Sequence, residues 1–377
     1  MEDVIQTLRE LIRIDSVNPA YERGASESAV AGYVRRFFEG RGIEISEQEV
    51  FPGRPNILAR VPGREPSQRV VFEAHMDTAG ITGMDIPPFE PRVADGKVYG
   101  RGACDTKAGL AAMMHAVARV AAGPEKARCE IVLAATADEE YSYRGVLKLC
   151  EGLQAEAAVV AEPTSLRLVI ATKGCVRFRI LVRGKAAHSS KPHLGVNAVA
   201  HMARLILTLE EDAKKLQGTT HPLLGTATFN IGTVHGGSQV NIVPDACAIE
   251  IDRRLLPGEE PLEVWKCYGR VIDQCRVVLP ELEATLESPM LQDLPLETSP
   301  SLRVAQIGSE VLASLGMAAE PVGVPYGSDA SKLARAGVPS VVFGPGSIDQ
   351  AHAATEFVEC DQVSQAVEFY YRFLVAY

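Results

Sequence analysis

At 377 residues, 46% of them hydrophobic, the chain exceeds what one hydrophobic core usually serves, so two domains are expected. A net charge of −10 argues against a nucleic-acid partner, which would want a basic face. No apolar run approaches the ~18 residues a membrane span needs, and the acidic, helically spaced start is not that of a signal peptide, so the expected location is cytoplasmic with no membrane partner.

Helical spacing of Ile5, Leu8, Leu11 and Ile12 opens the chain, and after the Asn18-Pro19 turn a second amphipathic helix is expected from about Ser26 to Glu39. Strand-like runs follow at Ile43–Val50, Asn56–Val61 and Arg69–Ala74, then a helix over Thr106–Ala121 and strands at Cys129–Thr136 and Ala157–Ala161. This alternation indicates an α/β sheet covered on both faces. Between Cys175 and Glu287 the order becomes strand, helix, strand, strand, helix, strand, which is the ferredoxin-like βαββαβ unit. Alternation resumes with helices at Leu302–Leu315 and Ala330–Ala336, a strand at Ser340–Phe343 and a last helix from about Cys360. The expectation is a discontinuous catalytic domain (1–174 and 289–377) with a smaller domain inserted at 175–288. The eight cysteines include no C-x-x-C pair, and structural disulfides are not expected.

Chemistry-bearing residues gather where these strands end. His75 and Asp77 follow the apolar Val70-Val71-Phe72, Asp105 lies in the glycine-bounded loop Gly100–Gly109 before a helix, and Glu139-Glu140 follow the strand ending near Ala137. Glu162 follows Ala157–Ala161, and His352 follows Ser340–Phe343 through Gly344-Pro345-Gly346. Carboxyl ends of strands are where open α/β sheets bind ligands. A lone His-x-Asp or Glu-Glu pair is more often a solvated element end, but structural ion pairs rarely concentrate at five such places. Histidines and carboxylates without a required cysteine suit zinc, cobalt or manganese, zinc being the default. Five ligands serve two ions only if one carboxylate bridges. Asp77, two residues from His75, is placed to hydrogen-bond the imidazole.

The same residues carry a resemblance. Ala74-His75-Met76-Asp77, the Gly100–Gly109 loop, Asp138-Glu139-Glu140, Glu162-Pro163-Thr164 and Gln350-Ala351-His352 stand in the order found in the co-catalytic zinc metallopeptidases. That family includes acetylornithine deacetylase, succinyl-diaminopimelate desuccinylase, aminoacylase and carboxypeptidase G, and the motifs look most like the acetylornithine deacetylase form. The resemblance implies a three-layer α/β/α zinc-peptidase-like catalytic domain with an inserted ferredoxin-like lid and dimerisation domain. It implies that His75, Asp105 and Glu162 bind one divalent ion and Asp105, Glu140 and His352 the other, with a cis peptide between Asp105 and Thr106. Glu139 is then the general base, Asp77 a supporting catalytic residue, and His188 the lid histidine that stabilises the oxyanion, reaching across a homodimer. Asn241, Arg253, Gly327 and Ser328 are the implied substrate contacts. Where the family often has Pro-Asp-Glu after the last histidine, Ala354-Thr355-Glu356 stands here. The function implied is hydrolysis of the amide of an N-acyl amino acid. A dipeptidase or carboxypeptidase of the same family, or a binding protein that lost catalysis, are the alternatives.

Overall fold

Three apolar runs, Val70–Phe72, Ile131–Ala135 and Ala157–Val160, are buried along their whole length, as strands covered on both faces must be. They lie side by side at the centre of a mixed sheet in the computed structural model, which describes residues 3–124 and 127–377. In chain order the elements are α1 (Val4–Arg13), α2 (Ser28–Phe38), β1 (Glu44–Phe51), β2 (Arg54–Val61), β3 (Glu65–His75) and a hairpin of β4 (Arg92–Ala94) and β5 (Lys97–Tyr99). Then come α3 (Lys107–Ala121), β6 (Cys129–Thr136), α4 (Arg144–Cys150), β7 (Ala157–Val160) and β8 (Val169–Thr172). The middle of the chain holds β9 (Gly174–Arg183), α5 (Ala198–Ala213), the small hairpin β10 (Thr220–His221) and β11 (Gly225–Thr226), β12 (Thr228–Gly236) and β13 (Ala246–Leu255). It continues with α6 (Pro261–Val278), β14 (Glu283–Leu286), β15 (Leu291–Asp293) and β16 (Leu296–Glu297). The last stretch adds α7 (Arg303–Ser314), β17 (Val322–Val324), α8 (Ala330–Arg335), β18 (Ser340–Val342), β19 (Phe357–Glu359) and α9 (Cys360–Ala376).

The first of two units runs to Ile170 and takes in Thr298–Val322 and Ser328–Tyr377. Its sheet has the order β1-β2-β6-β3-β7-β18-β8, in which β6, β3, β7 and β18 are mutually parallel and β1, β2 and β8 run against their neighbours. Alternate strand residues, such as Phe72, Leu133, Val159 and Val341, join one core with the apolar stripes of α1, α2, α3, α7 and α9. The opposite face, including Val71, Val132 and Val160, is covered by α4 and α8. Helix, sheet and helix thus form three layers. Asp3 caps α1 by accepting from Ile5 N, and Leu8, Leu11 and Ile12 fix the face it buries.

The second unit comprises Ala171–Glu297 and Gly323–Gly327. It is wider than the expected 175–288 because β15, beyond α6 and β14, still pairs with β9. Its antiparallel order β12-β13-β9-β14 is that of a βαββαβ ferredoxin-like unit. Val176, Phe178, Ile180 and Val182 of β9 alternate inward and meet Met202, Leu205 and Leu209 of α5 and Val271, Ile272 and Cys275 of α6. Both helices therefore cover one face, and the other carries Arg177, Arg179 and Arg183. Among the described residues no helix is long and apolar enough to cross a membrane.

Candidate metal centre and active site

The register of the three central strands brings the site together. His75 pairs with Thr136, and Glu73 with Val160, so β3, β6 and β7 end level with one another. His75, Glu139-Glu140 and Glu162 therefore emerge at neighbouring carboxyl ends. Asp105 arrives from the loop before α3, whose first turn presses against the end of β7. A Cβ on Gly109 would lie 2.6 Å from Ala161 Cβ, so only glycine permits this approach. Thr106 Oγ1 donates to Ala161 O at 3.1 Å, tying the loop to β7, and the Asp105–Thr106 peptide is cis as the resemblance implies.

Two ligand groups result, within each of which the ligand atoms all lie within 4.8 Å of one another: His75, Asp105 and Glu162, and Asp105, Glu140 and His352. Asp105 belongs to both, with Oδ1 3.1 Å from His75 Nε2 and Oδ2 3.3 Å from His352 Nε2. His352 Nε2 is also 3.1 Å from Glu140 Oε2. His75 Nδ1 lies 2.9 Å from the carbonyl oxygen of Asp77, which can only accept, so Nδ1 carries a proton and Nε2 is the nitrogen turned toward Asp105 and available to a cation once it is deprotonated. This set of nitrogen and oxygen donors, with one carboxylate shared, fits two divalent metal ions.

The electrostatics agree. Burial favours the neutral form of every carboxyl here, yet the two imidazoles hold Asp105 well below the usual carboxylate range. Burial pulls the His75 pKa down, but Asp105, Glu139 and Glu162 together raise it well above normal. His352, bonded to Asp105 and Glu140, rises to about 11. Glu162 is raised well above its ordinary value by burial and by the charges of Asp105 and Glu139. For Glu139, burial and the Glu140 charge outweigh the pull of His75 and push it up to about 8. Crowded carboxylates of this kind call for cations.

Asp77 departs from expectation. Its carboxylate is 3.7 Å from His75 Nδ1, beyond hydrogen-bond reach, and the backbone carbonyl takes that proton instead. Asp77 Oδ1 accepts from Glu139 N and Oδ2 from Glu140 N, each at 3.1 Å, so this carboxylate positions Glu139 and Glu140 rather than the imidazole. Asn18 was legible only as a turn residue, yet its Nδ2 donates to Asp77 Oδ2 at 2.8 Å and to Asp138 Oδ1 at 2.9 Å. The turn it braces has Asp138 and Tyr143 in left-handed conformations. Lys332, Asp329 and Glu73 form a buried polar group under the same strand ends. Lys332 donates to Ser328 O and stands 3.6 Å from the Tyr143 ring centre, while burial lifts Glu73 to about 7. None of these three carries a motif that sequence reading could seize.

The substrate residues fare unevenly. His188 and Asn241 are exposed on the second unit, with His188 Nδ1 2.8 Å from Ser190 Oγ. Arg253 is not available as expected. It alternates inward with Ile249 and Ile251, is 2% exposed, and binds Glu259 Oε1 at 2.6 Å through Nη2. Arg254, one residue on, faces the open side of the sheet and pairs with Asp252 at 2.8 Å. Gly327 lies against the Asp293 carboxylate, and a Cβ there, 1.9 Å from Asp293 Oδ2, would make that side chain move. Ser328 is buried, its hydroxyl without a partner.

Residues 71–376 match the model of peptidase family M20/M25/M40, and the chain belongs to that family of hydrolases. Acetylornithine deacetylase of Myxococcus xanthus is 29% identical over 375 residues, covering 95% of this chain and 93% of that one. Acetylornithine deacetylase of Vibrio campbellii is 28% identical, covering 100% and 98%. Among solved structures, a tripeptidase of Staphylococcus aureus superposes with a TM-score of 0.82 at 24% identity, covering 100% and 98%. A Bacillus subtilis protein described as a dinuclear metal-binding peptidase of the M20 family gives 0.73 at 18%, covering 99% and 97%.

Proposed function

We propose that the protein is a dinuclear, zinc-dependent deacylase that hydrolyses the amide bond of a small N-acyl amino acid, of the acetylornithine deacetylase or succinyl-diaminopimelate desuccinylase kind. The observation that carries this reading is Asp105, whose two oxygens face two different histidines, with Glu139 beside them. Nearly full-length similarity to acetylornithine deacetylases supports an acyl amino acid as the substrate.

When bound, the two ions would acidify a water and polarise the substrate carbonyl. His75, Asp105 and Glu162 would hold one, and Asp105, Glu140 and His352 the other. Glu139 donates no ligand atom to either group and is free to accept the proton of the attacking water and return it to the leaving amine. Asp77, through the backbone N–H groups of Glu139 and Glu140, keeps the base and its neighbour fixed while the proton moves.

We assign oxyanion stabilisation to His188, and substrate contact to Asn241, Gly327 and Ser328. The lid unit would support a homodimer, because among the described residues β12 pairs only with β13, and Leu207 and Val234 are exposed large apolar residues of α5 and β12. The reading places the enzyme in the cytoplasm. The test is turnover of a panel of N-acetyl and N-succinyl amino acids alongside di- and tripeptides by the zinc-loaded protein. Hydrolysis of acyl amino acids at least about tenfold faster in kcat/KM, a difference of ~1.4 kcal/mol, supports the deacylase. Preference for peptides would replace it with the peptidase reading that the tripeptidase fold likeness keeps in view.

A further inference from the structure

Glu356 is fully buried, four residues beyond the ligand His352, and its carboxylate is shared among four donors of one loop. Oε2 accepts from Arg101 Nη1 at 2.7 Å and Gly102 N at 3.0 Å. Oε1 accepts from Cys104 N at 2.8 Å and from Asp105 N, the backbone of the bridging ligand itself, at 3.0 Å. Its own carbonyl accepts from Gly100 N at 3.1 Å. One side chain thus fastens the loop carrying His352 to the loop carrying Asp105.

Other contacts draw the same two loops together. Cys104 Sγ donates to Ser347 O at 3.3 Å, and Gly346, at φ +85°, comes so close that a Cβ would lie 2.5 Å from Cys104 Sγ. The two ligand groups nevertheless depend on this junction unequally. His75 and Glu162 follow adjacent strands, and Asp105 is held toward them by Thr106 on Ala161 O and by His75 Nε2. His352 has no strand to stand on. It is in the left-handed conformation (φ +57°), its side chain is 54% exposed, and it follows a single turn of 3-10 helix, Ile348–Gln350.

Resting on the dinuclear reading above, we propose that Glu356 is a positioning residue for one ion of the pair. By locking the Asp105 loop to the His352 loop, it sets the affinity of the Asp105–Glu140–His352 site and leaves the His75–Asp105–Glu162 site nearly untouched. Groups that orient metal ligands from behind typically change affinity by about 10–100-fold when removed.

The experiment is a titration of chelator-stripped protein with Co2+ against a competing chelator, followed by the cobalt visible absorption, which yields two dissociation constants. Wild-type protein must first bind two ions per chain, and failure there overturns the dinuclear reading and not the role of Glu356. Glu356→Gln keeps the shape of the side chain but turns an amide NH2 toward two of the four donors. The weaker ion should then loosen about 10–100-fold while the tighter one stays within about twofold. His352→Ala leaves only the strand-held ion, and adding Glu356→Gln to it should change that ion's affinity and spectrum no further. Arg101→Gln, which removes one donor and leaves the carboxylate, should shift the same ion in the same direction by less, and serves if Glu356→Gln does not fold. Equal weakening of both ions, an unchanged second ion, or a further loss in the His352→Ala background would each overturn the proposal.

Discussion

Loading the two ions should expel protons, and the structure sets how many. With no ion bound, Asp105 is ionised between two imidazoles, of which His352 titrates near 11 and His75 well above its ordinary value. Both histidines are therefore cationic at pH 7, and each must give up a proton before its nitrogen can bind a metal. Glu139, at about 8, holds a further proton that the loaded site has no use for, and burial with the charges of Asp105 and Glu139 moves Glu162 in the same direction. About two to four protons should leave per pair of ions, so the product of the two dissociation constants should fall at least about 100-fold per pH unit between pH 6 and 8. Calorimetric titration in buffers of different ionisation enthalpy counts these protons directly. Fewer than one proton released at pH 7 would refute the picture of two imidazolium groups neutralising the carboxylate cluster. The same shifts fix a stability trend for the chelated protein. Glu139 and His352 have folded-state pKa values above their ordinary ones, so their contributions are full below about pH 4.5 and 6.5 and are lost as pH rises through about 8 and 11. Thermal melts of the chelated protein should fall from pH 5 to 8, and a rise would contradict both assignments.

Glu139→Gln should retain two ions and lose at least about 10²-fold in kcat, the scale of a general base; near wild-type turnover at full metal occupancy would end that assignment. Arg253→Ala should act on stability, because it strips Glu259 of its partner inside the second unit. Since Glu259 is 30% exposed, a loss of about 2–4 kcal/mol by denaturant unfolding is expected, below the full cost for a buried pair. Mixing inactive Glu139→Gln chains with inactive His188→Ala chains should restore activity if His188 serves a partner's site, since one site of a mixed dimer then carries neither defect. No recovery, with subunit exchange shown independently, would confine His188 to its own chain or remove it from catalysis.

What the sequence disclosed follows from what local patterns encode. The candidate ligands His75, Glu140 and Glu162 were legible because β3, β6 and β7 are apolar runs that stop abruptly at or just before them, whereas Asp105 and His352 stand in loops and were assigned through the family resemblance. The βαββαβ order was legible because strand and helix periodicities alternate cleanly from Gly174 onward. Short pieces such as β8, β16 and β17 escaped, being too brief to show any period. Direction within a strand is the more instructive failure. Arg253 and Arg254 are chemically equal in a motif, yet a period of two sends one beneath α6 and the other to the open face, and the apolar Ile249 and Ile251 already announce which. Asp77 makes the same point for hydrogen bonds. Proximity in sequence to His75 suggests the imidazole as its partner. Instead the backbone N–H groups of Glu139 and Glu140, some sixty residues away, donate to it, and a buried carboxylate goes where several donors converge. Glu356 obeys that rule too, 251 residues from Asp105. Candidate ligands that stand at strand ends can be read from the chain, whereas the groups that aim such ligands are chosen by donors that only the folded chain brings together.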